Sequence, residues 1–320
     1  MAGGKERELR GRIRSINATK KITRAMELIA ASQIGRARAR IAGSAPYVDG
    51  IEAVLAQTAR DAGEASRLVG RPDQPASVMV VLLAGDRGQA GAYNSSVFRQ
   101  AERLIVGHVE EGRANRLVTV GRKAIGYFRF RGQTPAVSFT SMSDRPTFED
   151  ARKIAAEITG PFLSGEVDLV ELVSTRYVSA GTQVVKTIQV LPLELPEARA
   201  TDGDTVLVDH SDGGGFYDYE PDPADLLRLL VPRYTEAVIF RALLEASASE
   251  HTARQRAMAA ATENAEELIT NYSRQMNRAR QDSITTEIME IVSGAEALRS
   301  AGQRSIDVDE LLRATEEQHA

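Results

Sequence analysis

The sequence predicts an α/β protein with long helices, in which an antiparallel coiled coil of the N- and C-terminal helices carries an inserted, small Rossmann-like α/β domain. Both ends of the chain have apolar residues at helical spacing over long proline-free stretches. The middle alternates short apolar runs with helical patterns, which is typical of a parallel sheet. We divide the chain into 1–60, the N-terminal coil helix; 75–195, the α/β domain; 196–223, an acidic loop region; 224–299, the C-terminal coil helix; and 300–320, an extension.

The N-terminal helix is predicted from an apolar stripe whose steps of 4, 3, 6, 4 and 3 residues lie near the period of a coiled coil. Thr19 fills the gap of six, and Pro46 begins the expected exit, although Ile51–Leu55 suggests further helix. Residues 1–42 carry eleven Lys or Arg against three Glu, a net charge of +8, so the rest carries −4 − 8 = −12. We expect this basic arm to face a charged partner. The stripe consists of Leu9, Ile13, Ile16, Ile22, Met26 and Ile29.

The α/β domain is predicted from four apolar runs of strand length. The last two runs are expected to form an antiparallel hairpin across Ser179–Gly181. Thr147 is a candidate N-cap for the third helix, which is expected over 147–163 after helices over 95–109 and 123–130. The strands are expected at 77–84, 117–121, 168–177 and 182–193.

The C-terminal helix is predicted from apolar residues that step by 4 and 3 after Pro232, which we expect to kink or start the helix. A helix from Arg233 to Arg299 is about 100 Å long, which is more than a globular domain of this size buries. We expect the N-terminal helix to cover part of it and other proteins to hold its far end. The apolar positions are Ala261, Ala265, Leu268, Tyr272, Ile284, Ile288, Ile291, Ala295 and Leu298.

Several kinds of chemistry are excluded by composition. The chain has no Cys, so thiolate metal sites, disulfides and Cys nucleophiles are excluded. Its four His share no ligand spacing, so we expect no metal and no cofactor. No run of 18 apolar residues exists, and the first residues lack the apolar stretch of a signal peptide, so we expect a soluble protein on the cytoplasmic side.

A glycine-rich segment, AGDRGQAGAYN at 84–94, follows the first strand, where α/β domains hold phosphates. Its glycines have the spacing G-x-x-G-x-x-G, which fits neither the dinucleotide fingerprint nor the P-loop. We therefore interpret it as a tight strand-to-helix turn, with Asp86 and Arg87 as local hydrogen-bonding residues.

Both ends of the chain resemble one known family. The segments IRSINATKKITRAMELIAASQI (13–34), ATENAEELI (261–269) and NRARQDSITTEIMEIVSGAEAL (277–298) resemble the gamma subunits of F-type ATP synthases, and LAGDRGQAGAYNSSV (83–97) is similar to that family's glycine-rich turn. The family often has Ser-Asp-Arg-Gly where this chain has Gly85–Gly88. The resemblance covers about 1–298, and the absence of Cys excludes the thiol switch of chloroplast relatives, which favours a bacterial protein.

The resemblance implies a rotor. The terminal helices would turn inside a ring of alpha and beta subunits, and the α/β domain would touch the epsilon subunit and the membrane c-ring. Proton flow would turn the membrane c-ring and the rotor together. The coil would then drive each beta subunit in turn through its binding, closing and release states. The chain itself would catalyse nothing and bind no cofactor, and it would lie peripherally on the cytoplasmic face of the cell membrane.

Residues matching the family's motifs are the candidate contacts. Met26 belongs equally to the apolar stripe of the coil, and the Lys20–Lys21 pair equally to a solvated face. The resemblance places the contacts between rotor and ring at Lys20, Lys21, Met26, Arg280, Gln281, Thr285 and Glu287. It places an apolar sleeve of the ring around Ile288, Ile291, Ala295 and Leu298.

The extension 300–320 departs from the family, whose members commonly end near 298. Its segment SIDVDELLRATEE (305–317) predicts a further acidic helix capped by Ser305 or Asp307. We expect the extension to emerge at the top of the ring or to fold back on it.

The alternative function is a stand-alone α/β nucleotide-binding protein whose coiled coil serves dimerisation or binds nucleic acid. Its basic arm would read DNA as basic-zipper helices do. However, the basic residues are spread around the helix and no aromatic is interleaved for stacking on bases, so we expect no nucleic-acid partner.

Overall fold

The structure, a computed structural model, describes residues 2–62, 68–194 and 219–316, with the side chains of 4–60, 68–194 and 219–299. Within these ranges the helices are α1 (Ala2–Ala62), α2 (Tyr93–Glu110), α3 (Arg122–Phe130), α4 (Phe148–Ser164) and α5 (Pro223–Glu316). The strands are β1 (Ser77–Leu83), β2 (Ala114–Val120), β3 (Val137–Phe139), β4 (Leu169–Tyr177) and β5 (Gln183–Leu191). No helix of the described part is long and apolar enough to cross a membrane.

The chain divides into two compact units. The terminal unit comprises residues 1–24 and 260–320, and the sheet unit comprises residues 25–259. In the terminal unit, Arg12 lies over Tyr272, and Lys20 pairs with Glu266 further along α1. Because advancing along α1 means retreating along α5, the two helices are antiparallel. The predicted fold class is therefore confirmed: long terminal helices pack together, and a mixed α/β sheet is inserted between them.

The sheet unit is built on five strands in the order β3-β2-β1-β4-β5. Strands β1 to β4 pair in parallel, and β5 pairs antiparallel with β4, as the predicted hairpin requires. Six of the seven residues of β1 are buried, because apolar helices cover both faces of the sheet. One face packs on α4 and on residues of α1 and α5, and the other packs on α2 and α3.

The start of α4 confirms the predicted cap. Thr147 accepts a hydrogen bond from the Asp150 amide, and the Asp150 carboxylate accepts one from the Thr147 amide. This capping box satisfies two of the amides that a helix start leaves unpaired. The helix ends at Gly165, whose φ of +84° is easily adopted without a side chain.

Pro46 does not mark the exit from the first helix that the sequence indicated, and of the two alternatives for Pro232, a kink or a helix start, the start is wrong. Pro46 lies inside α1, which continues to Ala62, and Pro232 lies inside α5, which begins at Pro223. A proline within a helix removes one hydrogen bond and costs about 3 kcal/mol. Burial of the neighbouring Leu55 and Val231 in the core of the sheet unit offsets that cost.

The structure contains one strand that was not predicted and contradicts one predicted helix, and one predicted loop lies largely outside the described residues. The short edge strand β3 was not predicted, because three residues are too few for a periodic signal. The separate C-terminal helix capped by Ser305 or Asp307 is wrong, since α5 runs unbroken to Glu316 and does not fold back before it. The acidic loop expected at 196–223 lies outside the described residues from 196 to 218.

Candidate functional site

The contact between α1 and α5 in the terminal unit is made largely by small side chains. The hydroxyls of Thr23 and Thr262 lie 2.8 Å apart, and both residues are less than a tenth exposed. Leu9 on α1 and Ala265 and Ala279 on α5 are also buried. Because helix separation depends on the side chains at the contact, this composition allows a close approach of the two backbones.

The buried positions follow a heptad pattern that the apolar residues alone did not reveal. On α1 the buried residues include Thr23, Ala30 and Ala37, whereas Ile22 and Ile29 are 61% and 62% exposed. The predicted stripe is therefore wrong at these two isoleucines. One residue turns a helix by about 100°, so the isoleucines beside each small contact residue point outward. On α5 the buried or half-buried positions step by 3 and 4: Thr262, Ala265, Ile269, Tyr272, Met276, Ala279 and Ser283.

Polar pairs flank this seam. The Lys20 ammonium lies 2.7 Å from the Glu266 carboxylate, and its hydrogen bond, more than its charge, lowers the pKa of Glu266. The Arg12 guanidinium lies 5.9 Å from the centre of the Tyr272 ring, a cation–π distance. Such pairs discriminate between alternative registers of a coiled coil.

The candidate contact residues on α5 face solvent. Arg280, Gln281, Thr285 and Glu287 are exposed, and the Ser283 hydroxyl lies 3.4 Å from the Glu287 carboxylate. On α1, Lys21 is exposed, Met26 is half-buried, and Lys20 is engaged with Glu266.

Beyond Ser283, α5 has no buried residue up to 299, the last whose side chain is described. Large apolar side chains nevertheless continue there: Ile288 is 54% exposed, Ile291 72% and Leu298 76%, and Ala295 is exposed as well. An isolated soluble chain gains nothing from an apolar row in water, so the row indicates an interaction surface.

Comparison with known proteins gives this architecture a family. The ATP synthase family profile matches residues 5–298. The chain is 46% identical over 308 residues to the ATP synthase gamma chain of Frankia casuarinae, covering 93% of this chain and 99% of that relative. The chain belongs to the ATP synthase gamma chain family. It is also 40% identical over 309 residues to the gamma chain of Streptomyces coelicolor, covering 95% and 99% of the two chains.

Solved structures share the fold of this gamma chain. A chain of the Euglena gracilis mitochondrial ATP synthase, in a structure of its OSCP, F1 and c-ring, is 18% identical with a TM-score of 0.67, covering 93% of this chain and 96% of that one. A chain of the central stalk and c-ring of Tetrahymena thermophila mitochondrial ATP synthase is 24% identical with a TM-score of 0.57, covering 75% and 99%. The resemblance drawn from the terminal motifs is thereby confirmed.

The glycine-rich turn of this gamma chain is built around Asp86. Its carboxylate accepts hydrogen bonds from the amides of Ser141, Arg122 and Ser143 at 3.0–3.2 Å. Burial raises the pKa of Asp86, but the hydrogen bonds from these amides outweigh burial and lower the pKa overall. Arg87 pairs with Asp144 at 3.0 Å. The expectation that both residues serve local hydrogen bonding is confirmed.

Sequence reasoning missed a buried ion pair beside this turn. Glu250 and Arg254 on α5 are 2% and 7% exposed and hydrogen-bond to each other. The Glu250 carboxylate lies against Gly85, where a Cβ would stand 3.0 Å from it. Burial raises the pKa of the neighbouring Tyr93 well above its usual value, and the charge of Glu250 adds to this. The sequence signal available for this pair was a Glu followed four residues later by an Arg, within a segment of mostly small residues.

Among the residues that the structure describes, no three His, Asp or Glu side chains are grouped so as to hold a metal ion.

Proposed function

We propose that this chain is the central-stalk rotor of a proton-translocating F-type ATP synthase, coupling rotation of a membrane c-ring to conformational cycling of the catalytic beta subunits. The observation that carries the proposal, within a member of the gamma chain family, is the exposed apolar row on α5 beyond Ser283. A helix of 94 residues that leaves such a row uncovered requires a partner with a complementary surface.

The physical mechanism is differential contact. The coil pairs two unlike helices, one basic and one bearing exposed carboxylates, so that its sides differ in charge and shape. A shaft with unlike sides presents a different surface to each of three beta subunits and stabilises a different conformation in each. Turning the shaft exchanges those conformations, and the coupling free energy comes from contacts rather than from chemistry on this chain.

We propose distinct roles for the exposed residues of α5. The polar set formed by Arg280, Gln281, Thr285 and Glu287 supplies hydrogen bonds and charges to loops of the beta subunits. Ile288, Ile291, Ala295 and Leu298 lie in an apolar sleeve formed by the ring. Apolar contacts are non-directional, so a sleeve of this kind holds the shaft upright with little resistance to turning.

The basic arm, residues 1–42, contacts the same ring of alpha and beta subunits. Residues 1–42 carry a net charge of +8, which fits acidic segments of the beta subunits passing beside α1. Lys21 is exposed, and Met26 offers part of its surface next to it. The Lys20 ammonium has three N–H donors, and one of them is engaged with Glu266 in the coil. The other donors are left to bind the ring of alpha and beta subunits.

The remaining partners follow from the rotor role. We propose that the sheet unit contacts the epsilon subunit and the c-ring, and that the chain lies peripherally on the cytoplasmic face of the cell membrane. It takes no cofactor, binds no nucleic acid and hydrolyses no ATP by itself.

A nucleotide-binding role at residues 85–94 is disfavoured because protein groups already occupy the turn. The Asp86 carboxylate accepts hydrogen bonds from three backbone amides, and the Glu250 carboxylate lies against Gly85. Phosphates bind where free backbone amides face them, and these amides are already engaged.

The experiment is reconstitution. The chain is co-expressed with its cognate alpha, beta and epsilon subunits, and the purified complex is joined to membranes that contain the c-ring. We expect co-purification, negligible ATPase activity from the isolated chain, and proton pumping driven by ATP in the joined vesicles. A chain that neither co-purifies nor restores pumping, or that binds ATP on its own, would overturn the proposal.

A further inference from the structure

One segment of α5 lies at the carboxyl ends of the central strands of the sheet unit. Ser249 donates a hydrogen bond to the Thr175 carbonyl at the end of β4, at 3.4 Å. Two residues earlier, Ser247 donates to the carbonyl of Asp144 at 3.0 Å. These contacts join polar side chains of the helix directly to the edge of the sheet.

The buried pair of Glu250 and Arg254 lies at the centre of this contact. The Arg254 guanidinium donates to the Glu250 carboxylate and, at 3.4 Å, to the Gly88 carbonyl in the glycine-rich turn. The Glu250 carboxylate rests against Gly85, the first glycine of the same turn. One charge-assisted hydrogen bond, from Arg254 to the Gly88 carbonyl, thus connects helix and turn in a water-poor setting, where such bonds are strongest.

This position is the topological switch point of the sheet. From β1 the chain continues to β2 on one side, whereas β4 lies on the other side of β1. In open α/β sheets the crevice beyond the carboxyl ends of two such strands is where ligands bind. In this chain the side chains of Glu250 and Arg254 occupy that crevice. The position where other α/β sheets bind a ligand is therefore used here to pack a helix of the same chain.

We infer that Glu250 and Arg254 are positioning residues that fix α5 to the sheet, so that the α/β domain and this helix turn as one body. The inference rests on the proposed rotor function. A torque applied to the sheet has to reach α5 through side-chain contacts. The apolar contacts around the pair are non-directional, whereas the hydrogen bond from Arg254 to the Gly88 carbonyl is directional and leaves the helix. Glu250 hydrogen-bonds Arg254 within α5 and so orients its guanidinium toward that carbonyl.

The test uses the complete complex in inverted membrane vesicles and measures protons pumped per ATP hydrolysed. The decisive variant is the double change Glu250→Met with Arg254→Met. Removing one partner of a buried pair leaves an uncompensated charge, whereas replacing both by apolar residues of similar size is often neutral for folding. The double variant therefore removes the hydrogen bond between helix and turn while keeping the helix packed on the sheet.

We expect the double variant to assemble and hydrolyse ATP at the wild-type rate while its pumping-to-hydrolysis ratio falls about fivefold, the lower end of typical coupling effects. Arg254→Lys keeps the charge and is expected to retain most of the ratio. Glu149→Gln on α4, which removes an exposed ion pair with Arg152, serves as the matched control and should leave the ratio unchanged.

A double variant that pumps as many protons per ATP as the wild type would overturn the inference. If the double variant does not assemble, Glu250→Gln decides, and a wild-type ratio in that variant overturns the inference. Failure of the wild-type chain itself to restore pumping would instead count against the rotor function, so the two failures are distinguishable.

Discussion

The hydroxyl oxygens of Thr23 and Thr262 lie 2.8 Å apart in the buried seam between α1 and α5, although the residues are 239 positions apart in the sequence. The Thr23 hydroxyl also donates to the Lys20 carbonyl of its own helix at 3.0 Å. The two hydroxyls are paired in this register, and sliding one helix along the other by a heptad would separate them.

Replacing Thr23 by Val should destabilise the chain. The Thr262 hydroxyl would lose its partner across the seam, and an intramolecular hydrogen bond contributes about 0.5–1.5 kcal/mol. The double variant Thr23→Val with Thr262→Val should be closer to wild type, because no hydroxyl then faces an apolar side chain across the seam. Urea unfolding of the full chain followed by circular dichroism measures both, and additive losses in the double variant would contradict the pairing.

Reversing the charges of Lys20 and Glu266 separates two roles for Lys20. If the pair acts within the coil, Lys20→Glu and Glu266→Lys each lower the thermal unfolding temperature slightly at low salt, and the double reversal restores it. If Lys20 acts only on an acidic beta segment, the double reversal assembles as poorly as Lys20→Glu alone. We expect the double reversal to restore the unfolding temperature of the isolated chain. High salt should remove the differences in unfolding temperature between the variants.

The same pair predicts a pH dependence. The pKa of Glu266 is lowered below its ordinary value of 4.5, so its contribution to stability is present above that value. It is lost as the pH falls through the lowered pKa, because protonation breaks the pair with Lys20. Glu266→Gln should therefore show a smaller drop in unfolding temperature than the wild type between pH 6 and pH 3, and equal drops would contradict this.

Replacing Asp86 by Ala should disrupt the glycine-rich turn. The amides of Ser141, Arg122 and Ser143 would lose their acceptor. A buried amide left unsatisfied costs about 1–3 kcal/mol, which applies to Ser143, whereas water replaces part of the loss at the two part-buried amides. Asp86→Asn keeps one acceptor oxygen and should cost less. Exposed Asp73 supplies the control through Asp73→Asn, which should leave urea unfolding unchanged. An Asp86→Ala chain as stable as the control would show that the turn does not depend on this carboxylate.

A charge on the exposed row of α5 should harm the complex without harming the chain. Ile291 is 72% exposed, so Ile291→Glu should leave unfolding of the isolated chain unchanged. In the apolar sleeve that we propose, the same charge would be desolvated, and we expect ATP synthesis to fall about tenfold. Glu290→Gln, at the neighbouring exposed position, is the control. Normal synthesis by Ile291→Glu would rule out the sleeve.

Removing residues 300–320 tests the extension. The family profile ends at residue 298, so we expect the shortened chain to support ATP synthesis and hydrolysis at wild-type rates. A changed ratio of synthesis to hydrolysis would instead assign the extension a regulatory role. Both rates are measured in membrane vesicles that contain the complete complex.

The sequence predicted the elements of the sheet well and the coil seam poorly, for a physical reason. Buried strands such as β1 are continuous apolar runs, and Thr147 with Asp150 is a local capping signal, so both can be found from adjacent residues. A close helix contact, in contrast, selects small residues, and Thr23 was overlooked beside the larger Ile22. Hydrophobicity identifies an apolar residue but does not show whether a partner helix covers it.

The buried pair at positions 250 and 254 was missed for a different reason. Its partners are the backbone of the turn at Gly85 and Gly88, about 160 residues earlier, and no local pattern shows such a contact. Charged residues are ordinarily exposed, so a Glu and an Arg on a helix are first interpreted as surface residues. Burial of such a pair becomes apparent only when the sheet and the helix are seen together.

The separation of 239 residues between Thr23 and Thr262 has a consequence for biosynthesis. At translation rates of about 5–20 residues per second, the N-terminal helix waits roughly 12–50 seconds for its partner to be made. During that interval the whole sheet unit is synthesised, while the nascent arm remains in solution with its basic residues. During that interval the apolar side chains of the arm, among them Leu9, which the finished coil buries, are uncovered. The net positive charge of the arm is then its main protection against premature aggregation.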